Sequence, residues 1–223
     1  MRQIIQAIAI AILLFSCPIT WAQQSETRIP AELLEAYRDL ESRIAEDPGL
    51  LDEVIDTGRE RARFCNTCHG PDGSAERPNY PSLAGQNAVY LLDQFDQFAS
   101  GERKKEWMNM LAEQISVEEM VTLSIYYSQM PLVSADFDPE LAERGSMPYD
   151  RYCTQCHGSD GLGGEGYARI AGQQPIYMKS VLREYRSGET SRRPSEMHGI
   201  VRALSDRDIE SLAHHIASLG ENR

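Results

Sequence analysis

The sequence has few basic residues, no late apolar run and no strand pattern. Each shortage removes a class of protein. Lys and Arg number 22 against 34 Asp and Glu, giving a formal net charge of -12. No run of Lys and Arg is present, so nucleic acid and anionic lipid headgroups are poor partners. The acidity suits a partner with a basic docking face, or serves solubility alone. Beyond residue 22 no segment is apolar enough to span a bilayer. No nucleophile triad, nucleotide loop or carboxylate pair stands out, so turnover by the protein itself is not expected. What is present is ordinary for a folded protein. The 41% hydrophobic content allows a packed core, and 223 residues suit one or two domains.

The N-terminus reads as a targeting segment. Arg2 supplies the positive end, Ile4 to Phe15 is apolar apart from Gln6, and Thr20-Trp21-Ala22 puts a small residue at a cleavage point. Residues 1–22 are therefore expected to be a cleaved signal peptide, with a soluble periplasmic protein starting at Gln23. Leu14-Phe15-Ser16-Cys17 also looks like a loose lipobox, which would anchor the chain through a lipid on Cys17. The competing reading is a chance Cys in a discarded signal.

The other four Cys form two copies of one pattern, Cys65-Asn66-Thr67-Cys68-His69 and Cys153-Thr154-Gln155-Cys156-His157. Cys-x-x-Cys-His is the attachment signature of c-type haem. Two thiols add to the two vinyl groups on one porphyrin edge, and the adjoining His binds the iron. A two-residue gap in a helical turn allows both. A redox disulfide rarely continues into His. A zinc site would pair its Cys more closely than the 88 residues between these motifs. Export fits haem attachment outside the cytoplasm.

The motifs lie within a longer repeat. His69-Gly70-Pro71-Asp72-Gly73 matches His157-Gly158-Ser159-Asp160-Gly161, and Ala84-Gly85-Gln86 matches Ala171-Gly172-Gln173. Tyr90 matches Tyr177, Ser100-Gly101-Glu102 matches Ser187-Gly188-Glu189, and Met108 matches Met197. Each copy is one structural unit in tandem. Leu33, Leu34, Tyr37, Leu40 and Ile44 recur at helical spacing, predicting a helix over 31–46 that Pro48-Gly49 stops. A second helix should run from about Leu50 into the first haem motif. Helices are expected at 87–99 and 174–186, and closing helices at 116–129 and 205–219, N-capped by Ser116 and Ser205. The proline-bounded stretch 131–139 reads as a linker. The fold class is all-α, with an N-terminal helical extension over 23–55 and haem units over 56–130 and 140–223.

His69 and His157 supply one axial ligand each. The opposite ligand separates electron transfer from chemistry on a substrate, because Met–His ligation marks electron carriers. The repeat selects Met108 and Met197, each eight residues before a closing-helix cap and expected in a loop. Met110 is a rival to Met108, but its counterpart is Gly199. Met120 and Met130 read as structural. His198 is a rival to Met197, but its counterpart is Asn109. A surface or propionate-neighbouring role suits His198 better. His214 and His215 should face solvent or make structural hydrogen bonds. A ligating His usually donates its second ring N–H to a carbonyl, and Pro81, with Ala168 as its counterpart, is placed to offer one. Arg169, near the same loop, either pairs with a haem propionate or stays solvated.

With these motifs on the page, the chain resembles the dihaem class I cytochromes of the cytochrome c4 family over about residues 56–223. The shared features are the two Cys-x-x-Cys-His-Gly motifs, the Ala-Gly-Gln-x-x-x-Tyr elements, the Ser-Gly-Glu elements and the late Met of each half. The resemblance implies two haem domains face to face with propionates near the join, two covalently bound haem c groups, and Met108 and Met197 as axial ligands. It implies electron transfer in the respiratory periplasm, with a terminal oxidase, a cytochrome bc1-type complex or a dehydrogenase as partner. A dehydrogenase-bound cytochrome subunit is the second reading. A dihaem peroxidase is the third, and the repeated Met argues against it. The lead-in from Ser25 to Asp56 is longer than the family's, and Pro81 has no counterpart proline.

Overall fold

A computed structural model describes residues 29–164, 166–189, 191–193 and 195–220. The expected signal peptide, Gln23 and Cys17 lie outside the described residues. Prolines and caps set the helix limits. The first helix, α1 (Ala31–Glu46), follows Pro30, and α2 (Gly49–Arg61) follows Pro48. The expected start of the first haem unit, residue 56, falls inside α2. The short α3 (Asn66–His69) carries the first haem motif, followed by α4 (Ala88–Ala99), α5 (Glu106–Ala112) and α6 (Val117–Ser128). The second copy runs α7 (Pro139–Tyr152), α8 (Thr154–His157), α9 (Pro175–Ser187), α10 (Met197–Ile200) and α11 (Asp206–Ser218). No strand forms among the described residues, only an isolated bridge between Gly164 and Tyr167.

Ser116 and Ser205 cap α6 and α11 as expected, and both do so through full capping boxes. Each serine oxygen accepts from the N–H three residues on, and the Glu119 or Asp208 carboxylate accepts from the serine N–H. This satisfies two otherwise orphaned N–H groups at each helix start.

Among the described residues two apolar cores form, one per copy. The first gathers Leu33, Val54, Leu92, Phe95, Val121 and Tyr127; the second gathers Tyr149, Leu182, Val201, Ile209, Leu212 and Ile216. The closing helix runs through each core. Helix α6 meets α1, α2 and α4, while α11 meets α7 and α9. The N-terminal extension is thus part of the first core: its Leu33 is buried there. In both copies a glycine lets two helices approach closely. A Cβ on Gly58 of α2 would collide with Tyr126 of α6, and one on Gly145 of α7 with the Ser211 carbonyl and His215 of α11. No helix among the described residues is long and apolar enough to cross a membrane.

Candidate haem sites and the join between them

Each haem motif closes as one tight turn. His69 N–H donates to Cys65 O at 3.0 Å and His157 N–H to Cys153 O at 2.9 Å, so both thiols and the imidazole belong to a single helical turn. The next residue must turn the chain sharply. Gly70 and Gly158 do so at φ of 83° and 75°, a region costly for any residue with a Cβ. The loop then folds back identically in both copies. Gly73 O accepts from Leu83 N and Ala84 N, and Gly161 O accepts from Ile170 N and Ala171 N.

This return brings the expected carbonyls to the imidazoles. Nδ1 of His69 lies 2.9 Å from Pro81 O, and Nδ1 of His157 lies 2.8 Å from Ala168 O. A carbonyl can only accept, so each Nδ1 carries the proton and each Nε2 is left to bind a metal. Burial, opposed by the carbonyl bond, holds both imidazoles below their ordinary pKa and therefore neutral.

The thiols suit covalent attachment better than the alternatives. All four are free and half-buried. Burial pushes the Cys65 thiol up, and burial with the neighbouring Cys156 pushes Cys153 up to about 12. A redox Cys-x-x-Cys needs the opposite shift. Among the described residues no three His, Cys, Asp or Glu side chains cluster as a metal ion would require, so the four Cys do not share a zinc site.

Met108 and Met197 do not sit in open loops. Met108 lies on α5, and Met197 opens α10. Both are half-buried, and Met197 packs on the second core. The reason is local. Asn109 pins the start of α5, accepting from Lys105 N at 2.7 Å and donating to Phe98 O and Arg103 O. Its counterpart His198 has a similar local role: Nδ1 lies 3.2 Å from Ser195 N, and the ring stands edge-on to Tyr185. Met110 is exposed, Met120 is buried in the first core, and Met130 packs against that core. His214 Nδ1 accepts from Asp138 N, and His215 Nδ1 bonds Ala142 O. Both histidines are therefore structural.

Arg169 is neither solvated nor spread on the surface. It is 2% exposed, and its guanidinium donates to Ala171 O and Ser82 O. Burial lowers its pKa to about 10.

The residues that sequence reading missed lie at the join. Buried Arg103 donates to Gln94 Oε1 at 2.6 Å and to Tyr177 Oη at 3.3 Å, while Arg192 donates to Tyr177 Oη at 2.7 Å and Tyr90 Oη at 3.3 Å. Burial and then the charge of Arg192 push Arg103 below its ordinary pKa. Burial alone would raise the Tyr177 hydroxyl, but the two guanidiniums outweigh it and hold it lower. Nε of Arg103 is buried without a hydrogen-bond partner. A buried orphan donor is costly, and a carboxylate such as a haem propionate would satisfy it. Free thiols, imidazoles held by Nδ1 and this guanidinium together fit a haem in each unit. The signal was present in the repeat, since Tyr90 and Tyr177 are counterparts.

Comparisons with known proteins find c-type cytochromes. The cytochrome c family model matches residues 142–220. Cytochrome c4 of Azotobacter vinelandii is 33% identical over 184 residues, covering 73% of this chain and 87% of that protein. A thiosulfate dehydrogenase electron acceptor of Stutzerimonas stutzeri is 32% identical over 176 residues, covering 72% and 81%. The solved structure of reduced recombinant cytochrome c4 from Pseudomonas stutzeri superposes with a TM-score of 0.67 at 29% identity, covering 73% of this chain and 97% of that one.

Proposed function

The chain belongs to the cytochrome c4 family, and from that premise we propose that it is a periplasmic shuttle carrying electrons between respiratory partners, for example to a terminal oxidase. It is an electron-transfer cytochrome with two covalently bound haem c groups, and not an enzyme. In this reading Cys65 and Cys68 hold one haem, and Cys153 and Cys156 hold the other. His69 and Met108 ligate the first iron, and His157 and Met197 the second. The haem supplies the one-electron couple, and Met–His ligation favours a high potential. The protein fixes each imidazole's tautomer through Pro81 O or Ala168 O. Arg103 and Arg192 hold positive charge at the join, where propionates would need it.

The observation that carries this reading is the duplicated site: two imidazoles, each tied by Nδ1 to the carbonyl at the matching position of its own loop. Two like sites suit a carrier better than an enzyme, which needs one iron with an open position. The test is an absorption spectrum with a redox titration. The oxidised protein should show the Met-to-iron charge-transfer band, and both Met108→Ala and Met197→Ala should diminish it. A high-spin oxidised spectrum at rest, or rapid peroxide turnover, would overturn the carrier reading.

A second reading has its own support. The similarity to a thiosulfate dehydrogenase electron acceptor favours service to a periplasmic dehydrogenase, with α1 as a docking element. Co-purification with a dehydrogenase would favour it over the free shuttle.

A further inference from the structure

Gln86 and Gln173 occupy the same place in the two Ala-Gly-Gln motifs, and each reaches into the opposite unit. Gln86 Oε1 accepts from Arg169 N at 2.6 Å, and its Nε2 donates to Arg169 O at 2.8 Å. Gln173 Oε1 accepts from Ser82 N at 2.8 Å, and its Nε2 donates to Ser82 O at 3.0 Å. Both glutamines and both target residues are buried.

The targets are specific. Ser82 and Arg169 directly follow Pro81 and Ala168, whose carbonyls hold the two imidazoles. The N–H that each glutamine binds and the C=O that each imidazole binds therefore belong to one peptide group. Gln173 is linked through the Pro81–Ser82 peptide to His69, and Gln86 through the Ala168–Arg169 peptide to His157. Each chain runs from one unit to the metal-binding ring of the other.

We propose that Gln86 and Gln173 are positioning residues that tune the iron of the opposite unit through this shared peptide. The inference rests on the axial roles of His69 and His157 proposed above. An acceptor on an amide N–H polarises the peptide and makes its carbonyl a better acceptor. The carbonyl then draws harder on the imidazole N–H, which makes the ring a stronger donor to iron. A stronger donor stabilises the oxidised metal, so each glutamine lowers the opposite potential. The two potentials thereby depend on the join being closed. A partner that loosens the join would raise both.

The test uses the holoprotein and the variants Gln86→Leu and Gln173→Leu. Two readouts are needed: the redox titration and the NMR position of each axial imidazole Nδ1 proton in the reduced state. Met197→His, which lowers the potential of its own iron, assigns the two redox waves. Gln86→Leu should raise the His157-side potential and move the His157 Nδ1 proton upfield, with the His69 side moving less than half as much. Gln173→Leu should give the mirror result. Gln86→Glu keeps an acceptor on Arg169 N–H and should shift the His157-side wave down. This variant decides the matter if the leucine variants fail to retain haem. Equal shifts at both irons, or a larger shift in the mutated unit's own wave, would overturn the relay. A wild-type protein without two Met–His irons would instead overturn the carrier reading, so the two failures are distinguishable.

Discussion

At Pro81 and Ala168 the residue changes and the chemistry does not. The imidazole needs a carbonyl, and any residue supplies one, so the substitution leaves both bonds at 2.8–2.9 Å. Asn109 and His198 are a second such pair, unlike as side chains but both held by local backbone. His215 shows what burial does to a histidine with a structural role. Its Nδ1 lies 3.0 Å from Ala142 O, and its ring packs on Tyr149 at 5.0 Å. Burial, opposed by the Ala142 bond, holds its pKa below the ordinary 6.5. Below that value the unfolded chain binds a proton that the folded chain resists, so stability falls as pH falls through the unfolded pKa toward the folded one. Denaturant unfolding between about pH 7.5 and about pH 5.5 should show this loss, and His215→Gln should flatten the slope. An unchanged slope would show that His215 does not contribute.

Among the elements, the closest fits are the two helix crossings. Gly58 and Gly145 lie 87 residues apart, the same offset as the Ala-Gly-Gln motifs. Each removes a Cβ where the partner is backbone or a rigid side-chain root. Gly58→Ala and Gly145→Ala should each destabilise the fold by about 1–3 kcal/mol through overpacking. Gly199→Ala on α10 meets nothing within 4 Å of its new Cβ. It should be neutral or stabilise by up to about 1 kcal/mol, through helix propensity. Denaturation midpoints of the three variants check the contrast. If all three behave alike, close approach is not why the first two positions hold glycine.

Taken whole, the molecule joins its halves through a reciprocal exchange. Gln86 and Asn87 bond the second unit's loop, and Gln173 and Gln174 bond the first unit's. Arg193 adds ion pairs to Asp93, Asp96 and Glu102. The linker is packed rather than loose. Ala135 N donates to Gly172 O, and the Leu132 side chain lies where a Cβ on Gly172 or Gly220 would go. The whole chain's net charge of -12 would draw a basic partner, if the chain uses one, over distances set by the Debye length, about 8 Å at physiological salt. Stopped-flow electron transfer to a basic redox protein should therefore slow steeply as salt rises. A salt-independent rate would point to apolar docking instead, for which exposed Phe64 and Trp107, beside Cys65 and Met108, are the candidates.

Without placing α5, α7 or α10, the sequence alone determined the haem motifs, the duplication, helices α1, α2, α4, α6, α9 and α11 with the Ser116 and Ser205 caps, and the carbonyl that meets each imidazole. These follow from short-range rules: thiol spacing, helical period, cap chemistry, and a loop of about a dozen residues returning to its own start. Only the tertiary structure decided that the Arg169 guanidinium reaches Ser82 and that Gln86 and Gln173 bond across the join. Those contacts connect residues 83 to 91 positions apart, and nothing local distinguishes a glutamine that caps its own loop from one that crosses to another. The Ala-Gly-Gln repeat marked both glutamines as members of a motif. Docking the two copies gave each one the opposite unit's peptide to hold.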